Sequence, residues 1–314
     1  MTKHSPTFSA VLFNYNQSRY LPESLDAVAN QSVQPEEIII IDDASTDHSV
    51  DIIQDFIKDR PEIKLIQNTP NQGIIATQNL AAQVATGDFL FYVASDDRYS
   101  HDIIKHCKEV VAAHPDVGMI SGNAATHCDA GHLQDFTLPF AQEVAVYTPH
   151  DLEHMARQRC MTFFGGANIM RRHLMQQLGC YNPRLKWHCD WFLYLLMAHS
   201  QPFAVVPETF VSIRRAEGQY SEACHDWQQQ APVTKECLDL LKTSYADHYD
   251  FFKRSAILPT NNPRGLWLLL RDKEHRNYIT PLLVWRLLTY HLFRCAGTLV
   301  PTGLRSLLRR ALRV

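Results

Sequence analysis

Through the first hundred residues, short unbroken apolar blocks alternate with longer stretches in which apolar residues return every three or four positions. Residues 8–13 and 88–94 are blocks of the first kind. Residues 37–41 read Glu-Ile-Ile-Ile-Ile, which predicts a strand covered on both faces. Helical spacing follows each block: Leu21, Leu25 and Val28 within residues 20–30, then Val50, Ile53, Phe56 and Ile57. Residues 63–66 predict another strand and residues 74–85 another helix. Strands and helices alternating at this spacing predict an α/β domain with a mainly parallel sheet.

The middle third is less regular. Residues 117–121, 163–170 (around Gly165-Gly166), 203–206 and 209–213 predict strands, with a helix over 151–159. Residues 189–198 form a strongly apolar helical segment that begins beside Asp190. After Gln219 the pattern is helical, with breaks expected near Pro232, residues 259–263 and Pro281.

Composition adds little until it is split. The 314 residues are 46% hydrophobic and 20% charged, which excludes a disordered chain, and the net charge is −3. Residues 264–314, however, hold ten Lys+Arg against two Asp+Glu, leaving 20 against 31 in the rest. An acidic body disfavours nucleic acid as a partner, and a basic tail favours an anionic one. Eight cysteines without a C-x-x-C pair fit reduced thiols better than a disulfide framework or a zinc ribbon. The first residues carry no basic-then-apolar leader, so the expected compartment is the cytoplasm.

Two acidic clusters fall where an open α/β sheet binds ligands, just beyond strand ends. Asp42-Asp43 closes one strand, and Ser95-Asp96-Asp97 follows another. Adjacent carboxylates repel unless a cation offsets them, and hard oxygen ligands suit Mg²⁺ or Mn²⁺. Asp-x-Ser-Thr-Asp is also good turn and helix-cap chemistry, so capping competes with ligand binding at both places. There is no G-x-G-x-x-G after a strand and no P-loop, which removes the main support for a dehydrogenase or NTPase. His127-Cys128-Asp129 with His132, and His150 with His154, lack the partner ligands a zinc site needs.

Taken together, Asn14-Tyr15-Asn16, Gln31-Ser32, Ile41-Asp42-Asp43-Ala44-Ser45-Thr46-Asp47, Asn71-x-Gly73, Asn79, Thr86-Gly87-Asp88 and Ala94-Ser95-Asp96-Asp97 resemble family 2 glycosyltransferases. The resemblance covers about residues 7–215 and implies a GT-A fold and inverting, nucleotide-sugar-dependent transfer. On it, residues 1–225 form the GT-A domain, with 1–98 the donor half and 99–225 the acceptor half. Residues 226–314 are a helical C-terminal region. The resemblance implies that Phe13, Asn14 and Tyr15 line the nucleotide pocket and that Asp43 contacts the base, usually uracil. It implies that Asp97 ligates Mn²⁺ or Mg²⁺, that Asp96 faces the donor beside it, and that Asp190 is the catalytic base. Phe13 stands where the family usually has Pro, Ala44 where it often has Gly, and Gln78 where Arg commonly precedes Asn79. Arg214 or Arg215 could supply the cation lost at Gln78.

Asp190 also has a physical rationale: a single in-line displacement needs one base for the acceptor hydroxyl. A dication that neutralises the leaving diphosphate removes the need for a general acid. The alternatives are a catalytically silent sugar-nucleotide-binding protein and another nucleotide-handling α/β enzyme.

The tail suggests where such an enzyme would work. In residues 281–301, Arg286, His291 and Arg294 fall within about 140° at 100° per residue, largely opposite Trp285, Leu288, Leu292 and Leu299. Beyond Pro301, Leu304, Leu307, Leu308, Ala311 and Val314 face away from Arg305, Arg309, Arg310 and Arg313. Residues 281–314 are therefore expected to lie on an anionic membrane surface or on the acidic body. A membrane seat implies a glycan or lipid-linked acceptor at the inner face of the cytoplasmic membrane.

Overall fold

The structure is a computed structural model that describes residues 5–139, 141–159, 161–216, 220–260 and 262–296. The first third runs β1 (Phe8–Asn14), α1 (Leu21–Ala29), β2 (Glu37–Asp42), α2 (Ser49–Ile57), β3 (Ile63–Gln67), α3 (Ile74–Val84) and β4 (Phe89–Ala94). The middle holds β5 (Arg98–Tyr99), α4 (Ile103–Ala113), β6 (Met119–Cys128), β7 (Gly131–Phe136), β8 (Ala145–Tyr147), α5 (Pro149–Gln158), β9 (Asn168–Arg171), α6 (Arg172–Gln177), α7 (Cys189–Ser200) and β10 (Phe203–Arg214). The last part is helical: α8 (Trp227–Lys242), α9 (Ala246–Arg254), α10 (Arg264–Arg271) and α11 (Pro281–Ala296).

One ten-stranded sheet runs in the order β3-β2-β1-β4-β9-β6-β10-β5, with β7 beside β6 and β8 beside β10. Pairing is parallel through β3-β2-β1-β4 and again between β6 and β10, and antiparallel at β9, β5, β7 and β8. Of the parallel strands, β1, β2 and β4 are buried on both faces, while the edge strand β3 is partly exposed. Phe8, Leu12, Ile38, Ile40, Phe89 and Phe91 join one core with Leu21, Leu25 and Val28 of α1 and Ile104, Cys107 and Val111 of α4. Close approach explains one motif glycine: a Cβ on Gly87 would meet backbone and side-chain atoms of Ser9 within 2.7 Å.

The chain forms two compact units. The first comprises residues 1–148, 163–183 and 193–217; the second comprises 149–162, 184–192 and 218–314.

Several expected elements differ. Residues 203–206 and 209–213 are one strand, β10, whose register shifts at both sides of Thr209, next to Pro207. Proline removes a ladder donor, so a bulge there keeps the strand continuous. Residues 163–167 are turn and loop, and only Asn168–Arg171 pairs as a strand, because Gly166 takes φ +75. Pro232 does not break a helix. It lies within α8, whose start is capped by Asp226 accepting from Gln228 N at 2.9 Å. Among the described residues, no helix is long and apolar enough to cross a membrane.

Candidate active site

In the first unit β2, β1 and β4 end side by side: Asn14 is in register with Asp42, and Phe13 with both Ile41 and Ala94. The acidic clusters at residues 42–43 and 96–97 both lie on this edge.

At the end of β2 each carboxylate accepts three hydrogen bonds from the protein. Asp42 Oδ1 accepts from Asn14 Nδ2 at 2.7 Å and from Ser45 Oγ at 2.6 Å, and its Oδ2 accepts from Ser45 N at 2.9 Å. Asp43 Oδ1 accepts from Asn68 Nδ2 at 2.8 Å and Gln72 N at 2.9 Å, while Oδ2 accepts from Gly73 N at 2.8 Å. Asp43 thereby holds the loop that enters α3, where Gly73 at φ +83 precedes the helix. Ala44 between these contacts has φ +63, a conformation that glycine adopts without strain. Asn16 Oδ1 closes the turn by accepting from Thr46 N at 2.7 Å. Asn14 is 2% exposed, and among the described residues its Oδ1 has no hydrogen-bond partner. Phe13 packs edge-on against Tyr92 at 4.9 Å within the core, whereas Tyr15 is exposed.

At the end of β4 the opposite holds. Among the described residues, one donor from elsewhere in the chain reaches the Asp96 and Asp97 carboxylates: Arg214 N, 2.7 Å from Asp97 Oδ1. Burial, then the charge of Asp96, pushes the Asp97 carboxyl up to about 7. Burial also raises Asp96. The turn itself is firmly held. Ser24 Oγ donates to Asp97 O at 3.0 Å, and Arg214 Nε donates to Asp96 O at 3.0 Å. The Arg214 guanidinium also donates to Asp129 Oδ1 at 2.6 Å and sits 3.8 Å over the Tyr20 ring. Its charge is thus spent on the protein, while Arg215 is exposed, its backbone N bonded to His127 O at 2.7 Å. His127 is buried, with Nδ1 3.0 Å from Ser212 Oγ and, among the described residues, Nε2 without a hydrogen-bond partner. Burial, followed by the neighbouring Arg214 charge, lowers its pKa.

Asn79 has a structural reason for its place in the motif. Its amide exchanges two hydrogen bonds with the backbone of Tyr181, at 2.8 and 2.9 Å, fixing the segment Gly179-Cys180-Tyr181-Asn182 on α3.

The second unit carries Asp190, in the first turn of α7. Its Oδ1 accepts from Trp191 N at 2.6 Å, and burial raises its pKa. The preceding 3-10 segment (Pro183–His188) is pinned by Gln230 of α8, which is 2% exposed. Gln230 Oε1 accepts from Trp187 Nε1 at 3.0 Å and faces His188 Nε2 at 3.0 Å. Its Nε2 donates to Pro259 O at 2.7 Å and Thr234 Oγ1 at 3.1 Å. Within the segment Lys186 has φ +49 and ψ −123, a strained conformation that this anchoring holds in place. Burial lowers the His188 pKa. Sequence reasoning missed Gln230, Asn68, Asp129 and Tyr20. Each lies 25 residues or more from the group it holds, and nothing in local spacing marks it.

A curated glycosyltransferase of Haemophilus influenzae is 37% identical over 97 residues, spanning 31% of this chain and 39% of that protein. A Mycobacterium bovis PGL/p-HBAD biosynthesis glycosyltransferase is 26% identical over 188 residues, 60% of this chain and 68% of its own. Staphylococcus aureus TarS in complex with UDP-GlcNAc superposes with a TM-score of 0.55 at 16% identity, covering 91% of this chain and 92% of that one. The mannosyltransferase PcManGT of Pyrobaculum calidifontis, in complex with GDP-Man and Mn²⁺, gives 0.54 at 16% identity, covering 98% and 80%. Likeness at that identity establishes the GT-A type of fold. The family model for glycosyl transferase family 2 matches residues 9–179, a stretch that contains both acidic strand ends, and the chain is a glycosyltransferase belonging to that family.

Proposed function

We propose that the protein is a metal-dependent, inverting glycosyltransferase that moves a sugar from a nucleotide-sugar, UDP-linked, to a glycan or lipid-linked acceptor in surface-polysaccharide synthesis. It works in the cytoplasm at the inner face of the membrane. Residues 1–225 are the transferase domain and 226–314 a helical C-terminal region. The observation that carries the reading is the Asp96-Asp97 pair: two mutually repelling carboxylates held rigidly at a strand end with almost no donor supplied to them.

Those oxygens are hard ligands, so they suit Mg²⁺ or Mn²⁺, with Asp97 the direct ligand and Asp96 beside it. Bound there, a divalent cation neutralises the charge that develops on the leaving diphosphate. The Mn²⁺ and nucleotide-sugars named for PcManGT and TarS support this for relatives of the same fold.

Asp43 supports uracil. An ionised carboxylate offers roughly four acceptor positions, and Asn68, Gln72 and Gly73 use three. One position remains, which matches the single N3–H of uracil. Asn14 Oδ1, buried and unpartnered, accepts from a donor hydroxyl beside it, and Tyr15 covers the base. Arg215 faces the diphosphate, since Arg214 is committed to the 96–97 turn.

Asp190 takes the proton from the acceptor hydroxyl as that oxygen bonds to the anomeric carbon and the bond to the diphosphate breaks. Burial raises its basicity toward that task. The test is a panel of nucleotide-sugars with Mn²⁺, following nucleoside diphosphate release by wild type, Asp97→Ala and Asp190→Asn. Turnover of a UDP-sugar that both substitutions abolish is expected. No turnover of any donor by a protein that binds it contradicts the reading.

A further inference from the structure

Helices α10 and α11 belong to the second unit, and among the described residues each buries one side and exposes large apolar side chains on another. In α10, Gly265 and Leu269 are buried, while Arg264, Trp267, Leu270 and Arg271 are exposed. At 100° per residue the exposed four fall within an arc of about 120°. In α11, Leu283 and Leu287 are buried and Trp285 and Leu288 exposed. Trp267 is 63% exposed and Trp285 55%, an unusual outlay of indole surface.

Arg286 corrects the sequence expectation. Helical spacing put it with His291 and Arg294 on a headgroup-facing side of α11. Instead its guanidinium turns into the unit and donates to the carbonyls of Ser255, Ala156 and Arg159. Those carbonyls lie at the ends of α9 and α5, where helices leave acceptors without partners. The side chains of His291, Leu292 and Arg294, and all of residues 297–314, lie outside what the structure describes.

The exposed apolar positions of the two helices are therefore two indoles and two leucines, and Arg286 does not supply the cations that accompany them. Exposed Arg264, Arg271, Lys273 and Arg276 provide them. An open groove of about 760 Å³ runs beside Trp267, bounded by Trp227, Lys235, Arg264, Arg271 and Lys273. Of the two acids there, Asp272 is bonded to His275 Nδ1 at 2.9 Å and pairs with Lys235 at 3.9 Å, and Glu274 is exposed, so they offset part of a lining that carries Lys235, Arg264, Arg271 and Lys273. Indole and leucine reaching into an acyl boundary, with arginines at phosphate level, is the chemistry of an interfacial helix. A soluble glycan would use the indoles and cations but leave Leu270 and Leu288 in water.

We propose that the exposed face of α10 and α11, centred on Trp267, Leu270, Trp285 and Leu288, is where the protein seats on an anionic lipid bilayer. This deepens the membrane part of the functional reading, moves its anchor to include α10, and is independent of the transfer chemistry.

The test is co-sedimentation of the full chain with phosphatidylcholine vesicles with and without 30% phosphatidylglycerol. Wild type is compared with Trp267→Gln/Leu270→Gln/Trp285→Gln/Leu288→Gln and with Arg264→Glu/Arg271→Glu. All six positions are exposed, and thermal melting checks the fold. Expected are binding to anionic vesicles only, a tenfold or greater loss in each variant, and nucleoside diphosphate release unchanged from wild type. Binding undiminished by the quadruple substitution overturns the proposal, as does a lipid-free dimer that the substitution dissociates, since a second copy then covers the face. Lost transfer in Asp97→Ala with vesicle binding intact, or the reverse, separates failure of one reading from failure of the other.

Discussion

The ends of β2 and β4 both carry an Asp-Asp pair, lie on one edge of one sheet, and differ in what surrounds the carboxylates. Asp42 and Asp43 accept six hydrogen bonds from Asn14, Ser45, Asn68, Gln72 and Gly73. Among the described residues, Asp96 and Asp97 accept one from elsewhere in the chain. Carboxylates with three donors each hold loops and keep about one acceptor position, whereas under-bonded ones keep most of theirs. The chain spends its donors around Asp96 and Asp97 on their backbone carbonyls, through Ser24 and Arg214, so the turn is rigid while its carboxylates stay under-bonded. On the proposed reading, such an edge is ordered before a divalent cation binds.

Four substitutions and one titration sharpen that contrast. Asp97→Ala should lower turnover about 1,000-fold, since neutralisation of the leaving diphosphate is lost. It should leave the metal-free melting temperature unchanged or raised, because repulsion with Asp96 disappears. Asp43→Ala should do the reverse in the fold, costing about 2–4 kcal/mol in urea unfolding by leaving three donors without their acceptor. Equal destabilisation by both changes removes the distinction.

The pH dependence follows from the sign of the Asp97 shift. Its folded value of about 7 lies above that of an unfolded Asp, so the folded state binds the proton more tightly. Stability of the metal-free protein should fall as pH rises from about 4 through about 7. Mn²⁺ should raise the melting temperature more at pH 8 than at pH 6, measured by calorimetry.

Gln230→Leu keeps the volume but removes both acceptor contacts to the segment before Asp190. It should lower kcat about tenfold with little change in KM for the donor, as steady-state kinetics would reveal. A KM effect alone would make Gln230 a donor-site residue instead. Ala44→Gly should have the smallest effect, stabilising by up to about 1 kcal/mol through relief of its positive φ.

The parallel strands and both Asp-Asp pairs were legible in the sequence because their signals are local. Ile38–Ile41 is buried on both faces, so every position is apolar. The second half of β6 was not legible. Gly122, Asn123, Thr126 and His127 are buried there without being hydrophobic, since Phe210 fills the space over Gly122 and Ser212 bonds His127. The donor deficit at Asp97 was equally hidden, because it depends on partners such as Arg214, 117 residues away. The inward turn of Arg286 belongs with these: helical spacing gives a direction, and only the carbonyls of Ser255, Ala156 and Arg159 make that direction the interior.

Isothermal titration of UDP into the protein, with and without Mn²⁺, tests the central claim most directly when run at pH 7 in two buffers of different ionisation enthalpy. The account predicts at least tenfold tighter UDP binding with Mn²⁺, accompanied by proton release that vanishes at pH 9. In Asp97→Asn both the Mn²⁺ enhancement and the proton release should be absent. UDP affinity that is indifferent to Mn²⁺ in the wild type, or enhanced equally in Asp97→Asn, would contradict it.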